Sequence, residues 1–382
     1  LYAMWLVRTV LSYLLTYRKS LLIADQKEYI ASITGLILNV VSYLAIILLV
    51  TWEQNYLLAL GIGTVTEVVL NIWISWYVEQ KYPFLRQRRK EKSTSSLTKR
   101  IVRDLKSLFI SRISEKMLYC TDNLIISGFI GVGTVGRYAN YCMITQAISN
   151  ILTILANTIQ PTVGDYFTEK NRQRNYEILR QLTFGFFCIA SVVSVGLFSL
   201  ITPFVRDIWL GPSYELGWGI TVFCIVVLLV RIMGLPLSLV MGVTGLFEKE
   251  KNVGASSALL NLIVSLALVK PYGMAGVLLG TLLSYLLQIL YRYIIYFRDF
   301  LEMPGEALRY AQDIGEYLAV IAGEVLLMQK IVPLIYGAGG MLLFCVCFLL
   351  CIAIPLLLDL VIFGRGWRLQ SIVTMVKGMR KA

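Results

Sequence analysis

The chain has 382 residues, of which 57% are hydrophobic and 15% charged, and its mean hydropathy is +0.72. That balance excludes an ordinary soluble domain and places the chain among polytopic membrane proteins. A formal charge of +12 would suggest nucleic acid in a soluble protein, and the lack of any histidine excludes His-based triads, imidazole metal sites and histidine proton relays.

Apolar segments long enough to cross a bilayer fall at about 2–17, 30–51, 57–79, 107–130, 138–163, 181–204, 217–245, 254–269, 274–297, 314–334 and 341–363. The predicted fold class is therefore an all-α polytopic membrane protein of about 11 transmembrane helices, the first and eighth being short. Lys and Arg concentrate in alternate connections. The loops at 18–29, 80–106, 164–180, 246–253 and 298–313 and the tail after 364 hold most of them, and the intervening loops hold at most one each. The basic loops are thus expected in the cytoplasm, with the C-terminus inside. Topology accounts for the net charge, and no nucleic-acid partner is needed. The loop at 80–106 reads as a basic linker lying against anionic lipid headgroups. Seven cysteines, Cys120, Cys142, Cys188, Cys224, Cys345, Cys347 and Cys351, lie in or beside apolar runs with no CxxC pair, and read as small apolar fillers.

The fourth span carries Arg112, Glu115, Lys116, Asp122 and Asn123 at membrane depth. Glu115 and Asp122 share a helical face with Ser111 and Tyr119. An ionisable residue there costs about 2.5–3.5 kcal/mol on insertion scales and usually marks a substrate or ion path. Local pairing near the cytoplasmic end is the alternative for Arg112, Glu115 and Lys116; Asp122 lies deeper. In the fifth span Gln146, Asn150, Thr153, Asn157 and Gln160 form a polar stripe closed by Pro161. Uncharged amides suit a wet cavity that binds sugar hydroxyls, or they glue helices together at about 0.6 kcal/mol per contact. Arg231 lies in the middle of the seventh span, five residues before Pro236. It can grip a phosphate bidentately or neutralise an acid such as Asp122. Arg8, in the first span, is its counterpart. Glu67 is a candidate for H⁺ or Na⁺ coupling, although nothing in the sequence pairs it. Glu316, Glu324 and Asp359 are further intramembrane acids and weaker candidates.

An internal repeat is visible. Lys27-Glu28, Leu38-Asn39 and Leu44-Ala45 recur as Lys249-Glu250, Leu260-Asn261 and Leu266-Ala267, and Gly63-Thr64 recurs as Gly280-Thr281. Both copies start at a basic loop and run outward, so they are parallel repeats related by an axis along the membrane normal. Four spans precede the second copy and only one precedes the first, which predicts three more helices upstream of Leu1. The chain holds no P-loop, no aspartate-rich metal motif and no nucleophile elbow. The expectation is a two-lobed transporter that is not an enzyme and needs no cofactor.

The run DNLIISGFIGVGTVGRYANY (122–141) resembles the seventh helix and following loop of bacterial lipid-linked oligosaccharide flippases, of the multidrug/oligosaccharidyl-lipid/polysaccharide exporter superfamily. LLIADQKEYI, KYPFL, QPTVGDYF, RIMGLPLSLVMGVTGLFEKEKN and YGMAGVLLGT are similar to other parts of such proteins, in order. The resemblance implies two six-helix bundles around a central cavity, with two extra C-terminal helices. Residues 1–80 would be the last three helices of the N-lobe, 81–106 the linker, 107–300 the C-lobe, and 301–382 the added helices and basic tail. It also implies the substrate, undecaprenyl-diphosphate-linked sugar repeat units turned over to the outer leaflet by alternating access. Arg8, Arg112, Asp122, Asn123, Gln146, Asn150, Asn157 and Arg231 would bind the substrate, and Glu67, Glu115 and Asp122 would couple H⁺ or Na⁺. Membrane lipids and a polysaccharide polymerase complex would be partners. Three other readings remain. A drug/cation antiporter of the same fold would want fewer basic residues, a membrane polymerase would need large outside loops, and a scaffold of envelope assembly would transport nothing.

Overall fold

The computed structural model describes residues 2–13, 16–25, 27–53, 56–83, 120–167, 171–244, 246–337 and 339–364. Among them there are helices and turns and no strand, and nine helices are long and apolar enough to cross a membrane. The protein is an all-α, multi-pass membrane protein. Its chain divides into two compact units, Leu1–Leu97 and Thr98–Ala382.

In the first unit, α1 (Tyr2–Tyr13) and α2 (Thr16–Ala24) replace the predicted first span. Neither crosses a bilayer alone, because 12 residues of helix rise only about 18 Å. The long helices α3 (Glu28–Glu53) and α4 (Tyr56–Lys81) follow. Their small core consists of Leu22, Ala31, Ile74 and Val78. Arg18 of α2 ties to α4 through Ser75 and through Glu79 at 2.5 Å. Below it, Asp25 accepts from Lys27 and from Tyr82 Oη, and these two hold its carboxyl below the usual carboxylate range. Along α3, Ile33, Leu36, Ile37, Val40, Val41, Leu44, Ile47 and Leu48 are each at least half exposed. So broad an apolar surface is stable in lipid and would not be in water.

In the second unit, α5 (described over 120–129) leads into α6 (Val132–Phe167) and α7 (Arg172–Pro203), which ends in a π-helical turn, Phe204–Trp209. Next come α8 (Trp218–Val243), α9 (Phe247–Tyr272), α10 (Met274–Ile294), α11 (Pro304–Tyr336) and α12 (Met341–Phe363). The fifth span, read as 138–163, is longer in the structure. The helix runs on to Phe167 with Pro161, where the polar stripe closes, inside it, and Pro236 likewise sits within an unbroken α8. Helix α8 packs on α6, α7 and α10, while α11 and α12 both pack on α7. The sequence read the connection at 270–273 as a loop. In the structure α9 stays helical through Tyr272, and the turn falls on Gly273, whose φ of 57° suits a residue without a Cβ.

The hairpin of α9 and α10 is the closest crossing. A Cβ at Gly276 would strike the carbonyl of Leu268, and one at Gly280 would strike Ser265 Oγ and lie 3.1 Å from the carbonyl of Asn261. The spacing Gly276-xxx-Gly280 is the small-residue pattern that lets membrane helices approach backbone to backbone. In the first unit Gly63 plays a related part, since a Cβ there would lie 2.7 Å from Nη1 of Arg8. Gly280→Ala is expected to weaken the second unit by about 1–3 kcal/mol, seen as earlier unfolding in detergent. Gly128→Ala, whose new Cβ meets nothing within 4 Å, should leave the unfolding midpoint unchanged or slightly raised.

Candidate functional site

Helix α5 delivers Asp122 and Asn123 in opposite senses, because neighbours on a helix point about 100° apart. Asp122 is 5% exposed and turns inward with Ile125 and Ile126, whereas Asn123 faces out. Of these two candidate substrate-binding residues, only Asn123 is presented at the surface of the unit. Arg112 and Glu115 lie outside the described residues, as do the basic linker from residue 84 onward and the tail after 364.

Asp122 meets the glycine-tightened crossing of α9 and α10. Its Oδ2 accepts from Thr281 Oγ1 at 2.7 Å, and its Oδ1 accepts a long bond from Asn261 Nδ2 at 3.5 Å. Asn261 Nδ2 also donates to Thr281 Oγ1 at 2.9 Å. Thr281 has a single hydroxyl proton, and the short bond assigns it to Asp122 rather than to the carbonyl of Val277 at 3.4 Å. Every donor to Asp122 among the described residues is thus neutral. Asn261 Oδ1 is buried without a partner, and beside it Ser257 and Ser265 are fully buried along the same face of α9. Three oxygens gather here, two from Asp122 and one from Thr281, with the amide nitrogen of Asn261 turned to them.

The two arginines take similar posts in the two copies of the repeat. Arg8 of α1 lies over Gly63 of α4 and pairs with Glu67 through Nη2 at 3.5 Å, both side chains about one-third exposed. This corrects the reading that nothing pairs Glu67. Arg231 of α8 lies over the ring of Tyr285 on α10, 5.4 Å from its centroid. Of the two roles the sequence offers it, neutralising Asp122 is not the one it takes, because Asp122 approaches α10 at Thr281, one turn earlier. In both units the arginine crosses onto the helix that carries the Gly-Thr pair.

The amide stripe of α6 does not serve as glue along most of its length. Asn150, Thr153 and Asn157 face outward, opposite the buried Ser149, Leu152 and Ala156. Gln146, Asn150 and Asn157 make no hydrogen bond to another described residue. Gln160 does pack across helices, its Nε2 lying 3.0 Å from where a Cβ on Gly242 would stand. A row of unengaged amides on a membrane-length helix has both donors and acceptors to offer a hydroxyl-rich ligand.

Asn261 and Thr281 were absent from the sequence-based site. A signal for them existed, since both belong to the repeated pairs Leu260-Asn261 and Gly280-Thr281, which were read as marks of duplication and not as chemistry.

Residues 1–167, from α1 to the end of α6, match the family model described as polysaccharide biosynthesis protein, and over that stretch the chain is similar to that family. No curated protein matches the chain.

Thr281→Val removes the shortest bond to Asp122 while keeping the side-chain shape. It should destabilise the protein by about 1–3 kcal/mol, the penalty of an under-satisfied buried acceptor, measured by unfolding in mixed micelles. A change within experimental error would show that Thr281 does not hold Asp122.

Proposed function

We propose that this protein is a flippase, not an enzyme, that carries lipid-linked oligosaccharides of the undecaprenyl-diphosphate type across the bacterial cell membrane for polysaccharide assembly. The observation that carries the reading is the outward, unengaged amide face of α6, lying within the stretch that matches a polysaccharide biosynthesis family. A membrane-depth face of this chemistry disfavours pure lipid contact and suits sugar hydroxyls. Transport proceeds by alternating access, with the basic loops and the C-terminus on the cytoplasmic side. The lipid tail stays in the bilayer while the head group crosses.

Each residue then has a distinct task. Asn150, Asn157 and Gln146 take the glycan. Arg231 attracts the diphosphate, and Arg8 offers the same chemistry within its own unit. The Arg8 pair with Glu67 is long and part-exposed, so a phosphate can displace the carboxylate and leave Glu67 free to take a cation or proton. Asp122, held by neutral donors, is the coupling residue. A proton on its carboxyl, or an Na⁺ among its oxygens, Thr281 Oγ1 and a turned Asn261 Oδ1, neutralises it and favours the tight crossing of α9 and α10. Asn261 Oδ1, buried and unpaired, is a ligand in waiting. Partners follow from the task, namely the lipid-linked substrate, membrane lipids and the polymerase that consumes the product.

The test is made in the source organism. Disrupting the gene should leave lipid-linked glycan inaccessible from outside and abolish the surface polysaccharide. The parent gene should restore both, and Asp122→Asn should restore them less than one-tenth as well at equal protein level. Unchanged exposure of the glycan in the disrupted strain would sink the flippase reading. Full activity of Asp122→Asn would sink the coupling role alone.

A further inference from the structure

Helices α7, α11 and α12 form a trio that the proposed transport site does not use, and acids enter it on quite different terms. Asp313 of α11 is answered by Arg180 of α7 in a bidentate pair, at 2.6 Å and 3.0 Å. Three turns further along α11, Glu324 is 3% exposed and receives one bond, from Ser191 Oγ to its Oε2 at 2.6 Å. Its Oε1 is buried without a partner. Asp359 of α12, 4% exposed, turns toward the same place, close enough to feel the charge of Glu324, and neither of its carboxylate oxygens is bonded. Cys188 of α7 is the other titratable group beside them among the described residues, and no described Lys or Arg balances the two acids.

The surroundings keep water out on one side. Phe184 and Phe187 of α7, Tyr317 of α11 and Phe363 of α12 pack ring to ring, with Phe187 and Tyr317 stacked at 4.4 Å and Phe363 edge-on to Phe187 at 5.5 Å. This layer lies about one turn from Ser191, toward the start of α7. Ser191 itself stands 12 residues before Pro203, about 18 Å along the axis, so the acids sit at membrane depth. Two carboxylates placed together there, without a cation, would repel one another and each lack hydration.

We propose that Glu324, Asp359 and Ser191 form a second site for a monovalent cation, H⁺ or Na⁺, built into the C-terminal helix trio and separate from Asp122. One bound cation halves the charge of the pair, as a shared proton or an Na⁺ bridging the two carboxylates, and the relieved repulsion lets α12 stay docked on α7. Its loss sets two like charges against each other across the contact of α11 with α12. The site does not rest on the transport reading, because it follows from the burial and bonding of three side chains.

Difference infrared spectroscopy of the full chain in lipid nanodiscs tests it. For a proton, parent minus Glu324→Gln and parent minus Asp359→Asn should each show a carboxylic-acid carbonyl band at neutral pH in Na⁺-free buffer. For Na⁺, the carboxylate bands should shift on adding Na⁺ in the parent and not in Asp359→Asn. Should a variant fail to fold, dicyclohexylcarbodiimide is applied to the unaltered chain, since it modifies protonated carboxyls in apolar surroundings. An adduct at Glu324 or Asp359, found by peptide mass spectrometry and suppressed at high pH or by Na⁺, supports the site. Bands of two ionised carboxylates indifferent to Na⁺, with no adduct at either residue, would overturn it.

Discussion

A buried acid in a membrane bundle must be answered by something, and the answers divide this protein into working parts. Asp122 is held by a hydroxyl and an amide, both neutral. Asp313 is locked by the two-pronged guanidinium of Arg180. Glu67 shares a long, part-exposed pair with Arg8, and Glu324, with one serine bond, and Asp359, with none, are buried in the same helix trio. A bidentate Arg–carboxylate pair is strong and carries little capacity for change. The other three arrangements leave valence unfilled, and unfilled valence at membrane depth is where ions and protons act.

The junction at Asp122 depends on backbone approach. Gly276 and Gly280 bring α10 so near to α9 that the carbonyl of Leu268 and the hydroxyl of Ser265 lie where a Cβ would otherwise stand. Only at that separation can Thr281 reach both Asn261 and Asp122. The glycines thus set the geometry of the polar cluster without contributing a polar atom. In the first unit the related glycine, Gly63, makes room for a guanidinium instead. A Gly-Thr pair thus stands in both units, beside an arginine in one and beside an acid in the other.

The exposed leucines, isoleucines and valines of α3 are what lipid requires, and they say nothing about a substrate. The outward amides of α6 differ, because lipid gives an amide no partner. They lie within the stretch similar to polysaccharide biosynthesis proteins, and the proposed glycan contact rests on that coincidence.

Composition and periodicity determined the fold class and nearly all the spans. These follow from bilayer thickness and helix length, and both are local properties of the chain. The stripe of α6 was also legible, since amides at helical spacing share a face whatever the surroundings. The partners of the buried acids were not. Asn261 and Thr281 are 20 residues apart in the chain and 139 and 159 from Asp122, and no periodicity joins positions on different helices. Arg231 and Asp122 looked like natural partners by charge alone. Packing put Arg231 over Tyr285 and Asp122 under Thr281, because helix contacts in a membrane are decided by where small residues permit close approach, and the tertiary structure alone shows which helices those residues bring together.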